Sequence, residues 1–171
     1  MQTFVTLAVF APLVGALIVG GFGRWLGNIA SQSITTGLLF LSCALSWVVF
    51  SAHTWGGMPD FTLVLLPFIH IDTFQSAWSL RMDALSATML VVVTSVSSLV
   101  HLYSWGYMRE DPSRPRFFAY LSLFTFAMLM LVTAADFMQL FFGWEGVGLA
   151  SYLLIGFWFQ KDSASSAAIK A

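Results

Sequence analysis

Phe137-Met-Gln-Leu-Phe-Phe-Gly-Trp-Glu-Gly-Val-Gly-Leu-Ala-Ser-Tyr-Leu-Leu-Ile-Gly-Phe-Trp-Phe159 is the stretch whose reading decides the fold. It carries one charged residue, Glu145, and is long enough for a bilayer-spanning helix, which needs ~20 mainly apolar residues. Its apolar residues run on without the alternation of a membrane barrel strand. Four other stretches are barer still. Met1–Gly23, Trp25–Pro59, Ala84–Met108 and Phe117–Ala135 contain no Asp, Glu, Lys or Arg. Spans are predicted over 3–22, 33–52, 83–104, 116–134 and 137–159. Only 9% of the 171 residues are charged, against about 25% in soluble domains, and 58% are hydrophobic. That composition excludes a soluble globule and a disordered chain. A net charge of −1 offers no basic patch for nucleic acid. A single cysteine, Cys43, excludes a disulfide framework and a cysteine-based metal site. The chain reads as an all-α polytopic membrane protein forming one helical domain over residues 1–171.

The first span lacks a basic leader and a small-residue cleavage site, so it reads as a retained helix, kinked at Pro12. Arg24, Arg109, Arg114, Arg116, Lys161 and Lys170 all fall on one side of the predicted spans, leaving only Arg81 on the other. The positive-inside rule makes the basic side cytoplasmic and places the N-terminus outside. Trp25, Trp55, Trp105 and Trp158 lie near span ends, as an aromatic belt does. The long outer loop between the second and third spans contains Gly56-Gly57 and Pro59, then the alternating run Trp78-Ser-Leu-Arg-Met-Asp83. A short β-hairpin is expected there, with Phe68–Asp72 pairing with that run. Ser163–Ala171 reads as the approach to a further element, and the chain as unfinished.

Glu145 is the most informative residue. An ionised carboxylate in mid-membrane costs at least ~2.5 kcal/mol on insertion scales, and such residues are functional by default. Burial favours its neutral form and a nearby cation its charged form. Its protonation therefore follows its neighbours, as proton transfer requires. Helical spacing puts Glu145, Gly148 and Tyr152 on one stripe, with room beside the carboxylate and a hydroxyl beyond it. Gly143, Gly146 and Ala150 form a second stripe, suited to close helix packing. His101, near the cytoplasmic end of the third span, reads as a structural residue or a relay. Lys170 reads as the first deep basic residue of a following helix or as a snorkelling one. Asp83 and Asp136 read as cap and turn residues. No basic residue in the chain lies at the depth of Glu145, so a lysine partner is expected outside these residues. The sequence holds no phosphate loop, dinucleotide fingerprint or metal-ligand spacing, so no redox centre, NADH site or metal is expected in it.

Phe142–Trp158 closely resembles the fifth-helix signature of subunit L of proton-pumping NADH:quinone oxidoreductase, respiratory complex I, whose mitochondrial counterpart is chain 5. Arg116-Phe-Phe-Ala-Tyr-Leu-Ser-Leu-Phe resembles the family's fourth helix, and His101-Leu-Tyr-Ser-Trp-Gly-Tyr-Met108 the end of its third. Met82-Asp-Ala-Leu-Ser86 resembles the start of that third helix, with Ala84 where glycine is usual. Ala167–Ala171 resembles the start of the sixth. The run Trp144-Glu-Gly-Val-Gly148 separates subunit L from the sister subunits M and N and from multisubunit cation/proton antiporters.

The resemblance implies two inverted repeats of five helices with broken helices, and a long lateral helix. It implies that Glu145 is a proton-loadable gate paired with a lysine on a seventh helix, with Tyr152, His101 and Lys170 as candidates for support or relay. It also implies FMN, iron–sulfur clusters and quinone in other subunits of the complex. The implied partners are the lipid bilayer and the other membrane subunits, above all a neighbouring antiporter-like one. The implied location is a bacterial inner membrane, or the mitochondrial inner membrane. Proton translocation coupled to NADH oxidation elsewhere is the function expected. A subunit of a sodium/proton antiporter and a truncated structural bundle without transport of its own are the alternatives.

Overall fold

A computed structural model describes residues 1–71 and 74–170. Seven elements follow one another: α1 (Gln2–Thr54), β1 (Phe61–Ile71), β2 (Phe74–Met82), α2 (Ala84–Tyr107), α3 (Arg114–Val132), α4 (Phe137–Ile155) and α5 (Asp162–Lys170). Among the described residues, α1 to α4 are long and apolar enough to cross a membrane.

Left straight, α1 would be on the order of 80 Å long at ~1.5 Å per residue, far beyond a ~30 Å hydrocarbon layer. Gly27 breaks it, with φ 77° and ψ 173°, a backbone conformation that a Cβ disfavours. The two limbs then fold back on each other. Ser42 Oγ donates to the Ala8 carbonyl at 2.5 Å. A Cβ on Gly15 would lie 3.3 Å from Leu38 and 3.6 Å from the Thr35 backbone. The first two predicted spans are these limbs, and α1 packs against both α2 and α3.

Helical backbone runs on through Pro12, and the interruption of α1 lies at Gly27. The reason lies in the same Ser42 contact. Pro12 has no N–H to offer the carbonyl four residues back, and that carbonyl belongs to Ala8. Ser42 supplies the missing donor from the other limb. Ser42→Ala therefore leaves a buried acceptor empty and should cost about 1–2 kcal/mol of membrane-protein stability, read as a lower midpoint in SDS titration. Ser46→Ala, whose hydroxyl bonds only within its own helix, serves as the mild comparison.

Polar side chains join the second limb to α2. Trp105 Nε1 donates to Thr36 Oγ1 at 2.9 Å, and Trp47 Nε1 to Ser95 Oγ at 3.2 Å. Such bonds bind helices where lipid removes the hydrophobic drive for association.

The hairpin forms, but longer and in another register than expected. Ile71 pairs with Phe74, so Trp78–Met82 lies against Leu66–Phe61 rather than against 68–72. Asp72 lies outside the described residues. Register shifts between Val64 and Leu66 and between Pro67 and Ile69 absorb Pro67, which cannot donate to a ladder. A lone two-stranded hairpin is marginal in water. This one is docked: Leu80 and Met82 enter the core with Val5, Val9, Val49, Leu90, Leu129 and Met130. Arg81 N–H donates to the Thr133 carbonyl at 2.8 Å, and Leu80 bridges Ala134.

The fifth predicted span ends early. α4 stops at Ile155, with the Gly156 N–H bonded to the Tyr152 and Leu154 carbonyls, and the chain turns into α5. A Cβ on Gly156 would lie 3.2 Å from the Ala168 Cβ, so the glycine lets α5 close on the end of α4.

Candidate functional site

Two aspartates start the helices that carry the site. Asp83 caps α2 by accepting the Ser86 N–H at 2.8 Å, and Arg81 lies 3.0 Å from its other oxygen. The Ser86 backbone bond, helped by Arg81, holds the Asp83 carboxyl below its ordinary range. Asp136 caps α4 through the Gln139 N–H at 2.8 Å and also accepts from Ser76 Oγ at 3.0 Å and the Ala77 N–H at 3.4 Å. Partial burial pushes its carboxyl up, but the bonds from Gln139, Ser76 and Ala77 together outweigh this and leave it lowered.

Asp136 therefore does more than cap a helix: it ties the hairpin to α4. Because its folded-state value is lowered, this contribution is present above the ordinary carboxylate range. It is lost as pH falls through the folded value. Acidification should loosen the hairpin before the helices, read as hydrogen exchange at Ser76–Met82. Asp136→Asn should show the looser hairpin already at neutral pH.

α4 touches the bundle along one narrow stripe. Gln139, Gly143 and Ala150 are its buried residues. A Cβ on Gly143 would stand 2.8 Å from the Leu131 Cα, and one on Gly146 would stand 3.3 Å from the Ala127 Cβ. The two glycines thus let α4 lie directly on the α3 backbone. Gln139 Oε1 accepts the Ser79 N–H at 2.9 Å, a second tie to the hairpin that sequence reasoning missed.

Glu145 points the other way. It is exposed, flanked by Trp144 at 67% and Leu149 at 59% exposure. Gly148 beside it meets nothing within 4 Å of an added Cβ, and Tyr152 is half exposed on the same face. The structure thus brings together Glu145, the open space at Gly148 and Tyr152. Among the described residues the ion pairs are His53–Asp60 and Arg81–Asp83, and neither involves Glu145.

His101 lies elsewhere. It is fully buried between α2 and α3, with Nδ1 2.9 Å from the Ser97 carbonyl and Nε2 3.2 Å from Ser122 Oγ. A carbonyl only accepts, so Nδ1 carries the proton and Nε2 accepts from Ser122. Ser97 Oγ also bonds Thr125 Oγ1 across the same seam. These contacts make His101 a link between two helices. Lys170 is exposed at the last residue of α5. Tyr152 also lines a cavity of about 190 Å³ with Arg116, Tyr120 and Ser165. The i, i+4 spacing of Arg116 and Tyr120 was visible in the sequence, but the convergence of three helices on one cavity was not.

Residues 68–118 match the family described as NADH-Ubiquinone oxidoreductase (complex I), chain 5 N-terminus. Residues 134–171 match the transmembrane family of NADH:quinone oxidoreductase and Mrp antiporters. Relatives agree along nearly the whole chain. NADH-quinone oxidoreductase subunit L of Rhodobacter capsulatus is 56% identical over 97% of this chain and 24% of its own length. NADH-ubiquinone oxidoreductase chain 5 of Arabidopsis thaliana is 52% identical over 96% of this chain and 24% of its own. The chain belongs to the subunit L and chain 5 family. Subunit L of Rickettsia conorii, 48% identical over 99% of this chain and 26% of its own length, sits in the same group. The chain spans about a quarter of the length of these relatives. The matched regions cover the hairpin from Phe68 onward, α2, the start of α3 and all of α4 and α5.

Proposed function

We propose that this chain supplies the leading helices of a proton-translocating membrane-arm subunit of NADH:quinone oxidoreductase, with Glu145 as its proton-loadable group. The observation that carries the reading is one carboxylate in the middle of a membrane helix, directed away from its own bundle. An acid left bare to lipid costs at least ~2.5 kcal/mol, so the face that carries it is made to meet something polar. A lysine from outside these residues fits that need. Its approach favours the ionised carboxylate and its withdrawal the protonated one. That alternation moves a proton without large backbone motion.

The supporting parts divide. Gly148 leaves the space for water or a partner side chain, and Tyr152 offers a hydroxyl two turns from the acid. His101 holds α2 to α3 and acts as a positioning residue, and Lys170 is exposed for a partner segment. In this reading NADH, FMN, iron–sulfur clusters and quinone belong to other subunits, and a neighbouring antiporter-like subunit packs alongside. The basic ends of the helices face the cytoplasm or the mitochondrial matrix, with the chain in the corresponding inner membrane.

The test is proton pumping by the assembled complex carrying Glu145→Gln. Loss of pumping with assembly retained supports the role, and unchanged pumping removes it. Sodium-driven, quinone-independent exchange by the complex would instead select the antiporter reading.

A further inference from the structure

The cavity between α3, α4 and α5 has a chemistry that the proton-transfer reading does not use. Arg116 lies in the first turn of α3, Tyr152 in the last turn of α4 and Ser165 on α5. They line the cavity with Tyr120, Phe157 and Phe159, and among the described residues no acidic side chain does so. Its volume, about 190 Å³, holds several times the ~30 Å³ share of one liquid water.

Arg116 is held but not satisfied. One Nη2–H donates to the Phe157 carbonyl at 3.0 Å, and the guanidinium sits 4.6 Å from the Phe157 ring and 5.5 Å from that of Phe159. Its Nε is buried and has no hydrogen-bond partner. The guanidinium also lines the cavity, and its remaining N–H groups are shaped to grip a tetrahedral anion through parallel bonds. Asp111, at the same end of the helices, is already engaged: it accepts from Trp158 Nε1 at 2.9 Å and from the Ser113 N–H at 2.7 Å.

With Arg116, the residues Arg109, Arg114 and Lys161 share this end of the helices with Glu110, Asp111 and Asp162, which leaves one more basic group than acidic, and Lys161 lies 5.1 Å from the Trp158 ring. This is the composition of a cytoplasmic membrane interface, where anionic headgroups concentrate.

We propose that this cavity binds a phosphate group through Arg116, with the Tyr120, Tyr152 and Ser165 hydroxyls as further donors. At this depth the phosphate is that of an anionic phospholipid headgroup, whose charge is not cancelled by a choline cation as it is in phosphatidylcholine. The proposal does not rest on proton transfer by Glu145.

It is tested by photolabelling the protein in its native assembly, reconstituted with photoactivatable phosphatidylglycerol or with phosphatidylcholine of the same acyl chains. Phosphatidylglycerol should label the Phe157–Lys170 region about tenfold more than phosphatidylcholine does. Arg116→Gln should lower that labelling by about tenfold. Ser165→Phe, which keeps the guanidinium and fills the cavity, should do the same, and it decides alone if Arg116→Gln does not accumulate. Competition by excess inorganic phosphate would reassign the site to free phosphate. Equal labelling by both lipids, or labelling unchanged in Ser165→Phe, overturns the proposal.

Discussion

Glu145→Gln should leave the complex assembled and its redox chemistry running, while proton translocation falls by tenfold or more, in keeping with the ~10²–10⁴-fold worth of a positioned proton-transfer group. The substitution keeps shape and polarity and removes only the ability to exchange a proton. Assembly should survive because α4 docks through Gln139, Gly143 and Ala150, which lie on another face. The readout is the ratio of protons moved to NADH oxidised in sealed vesicles, beside the amount of intact complex. A purely structural Glu145 would give the opposite pattern, with less complex and an unchanged ratio. Glu145→Asp, which retains the acid but shortens its reach, should fall between the two.

Gly143→Val should separate α4 from α3. A Cβ at this position meets the Leu131 Cα at 2.8 Å and its nitrogen at 3.0 Å, and backbone atoms cannot swing aside as a flexible side chain can. Overpacking a tight contact costs ~1–3 kcal/mol. The result can be read without activity. Gly146 and Ala127 approach to 3.3 Å between an added and a native Cβ, near the ~3.8 Å mean of disulfides. Cysteines at those two positions, with Cys43 replaced by serine, should cross-link readily. Gly143→Val should abolish the cross-link. Gly148→Val should preserve it, because a Cβ there meets nothing within 4 Å. Loss of the cross-link in both variants, or in neither, would show that the glycine contact does not hold the two helices.

These two results bear on different kinds of legibility. The small-residue stripe of α4 could be read from spacing, and so could the stripe of Glu145, Gly148 and Tyr152, because both follow from helical geometry within one segment. The hairpin was foreseen in kind but not in register. Alternation marks a strand, whereas its partner residues depend on where the chain turns. The partner of the carbonyl that Pro12 leaves free was not legible, because its donor, Ser42, comes from the opposite limb. Asp136 was read as a cap because its bonds to Ser76 and Ala77 cross 60 and 59 residues of sequence. The partners of His101 could not be read from its own segment, because Ser122, on one of its two nitrogens, comes from another helix.

The amino-acid sequence alone determined the membrane character of this chain, the runs that span it and the rarity of Glu145. Each of these is a property of a segment and its solvent: burying charge in hydrocarbon is costly whatever the neighbours are. Only the tertiary structure decided that α1 folds back at Gly27 and that Glu145 turns away from the bundle. It also decided that Arg116, Tyr152 and Ser165 meet around one cavity. Those outcomes depend on which distant residues come into contact, and backbone clearance at a few glycines selects among packings that apolar composition alone leaves nearly equal.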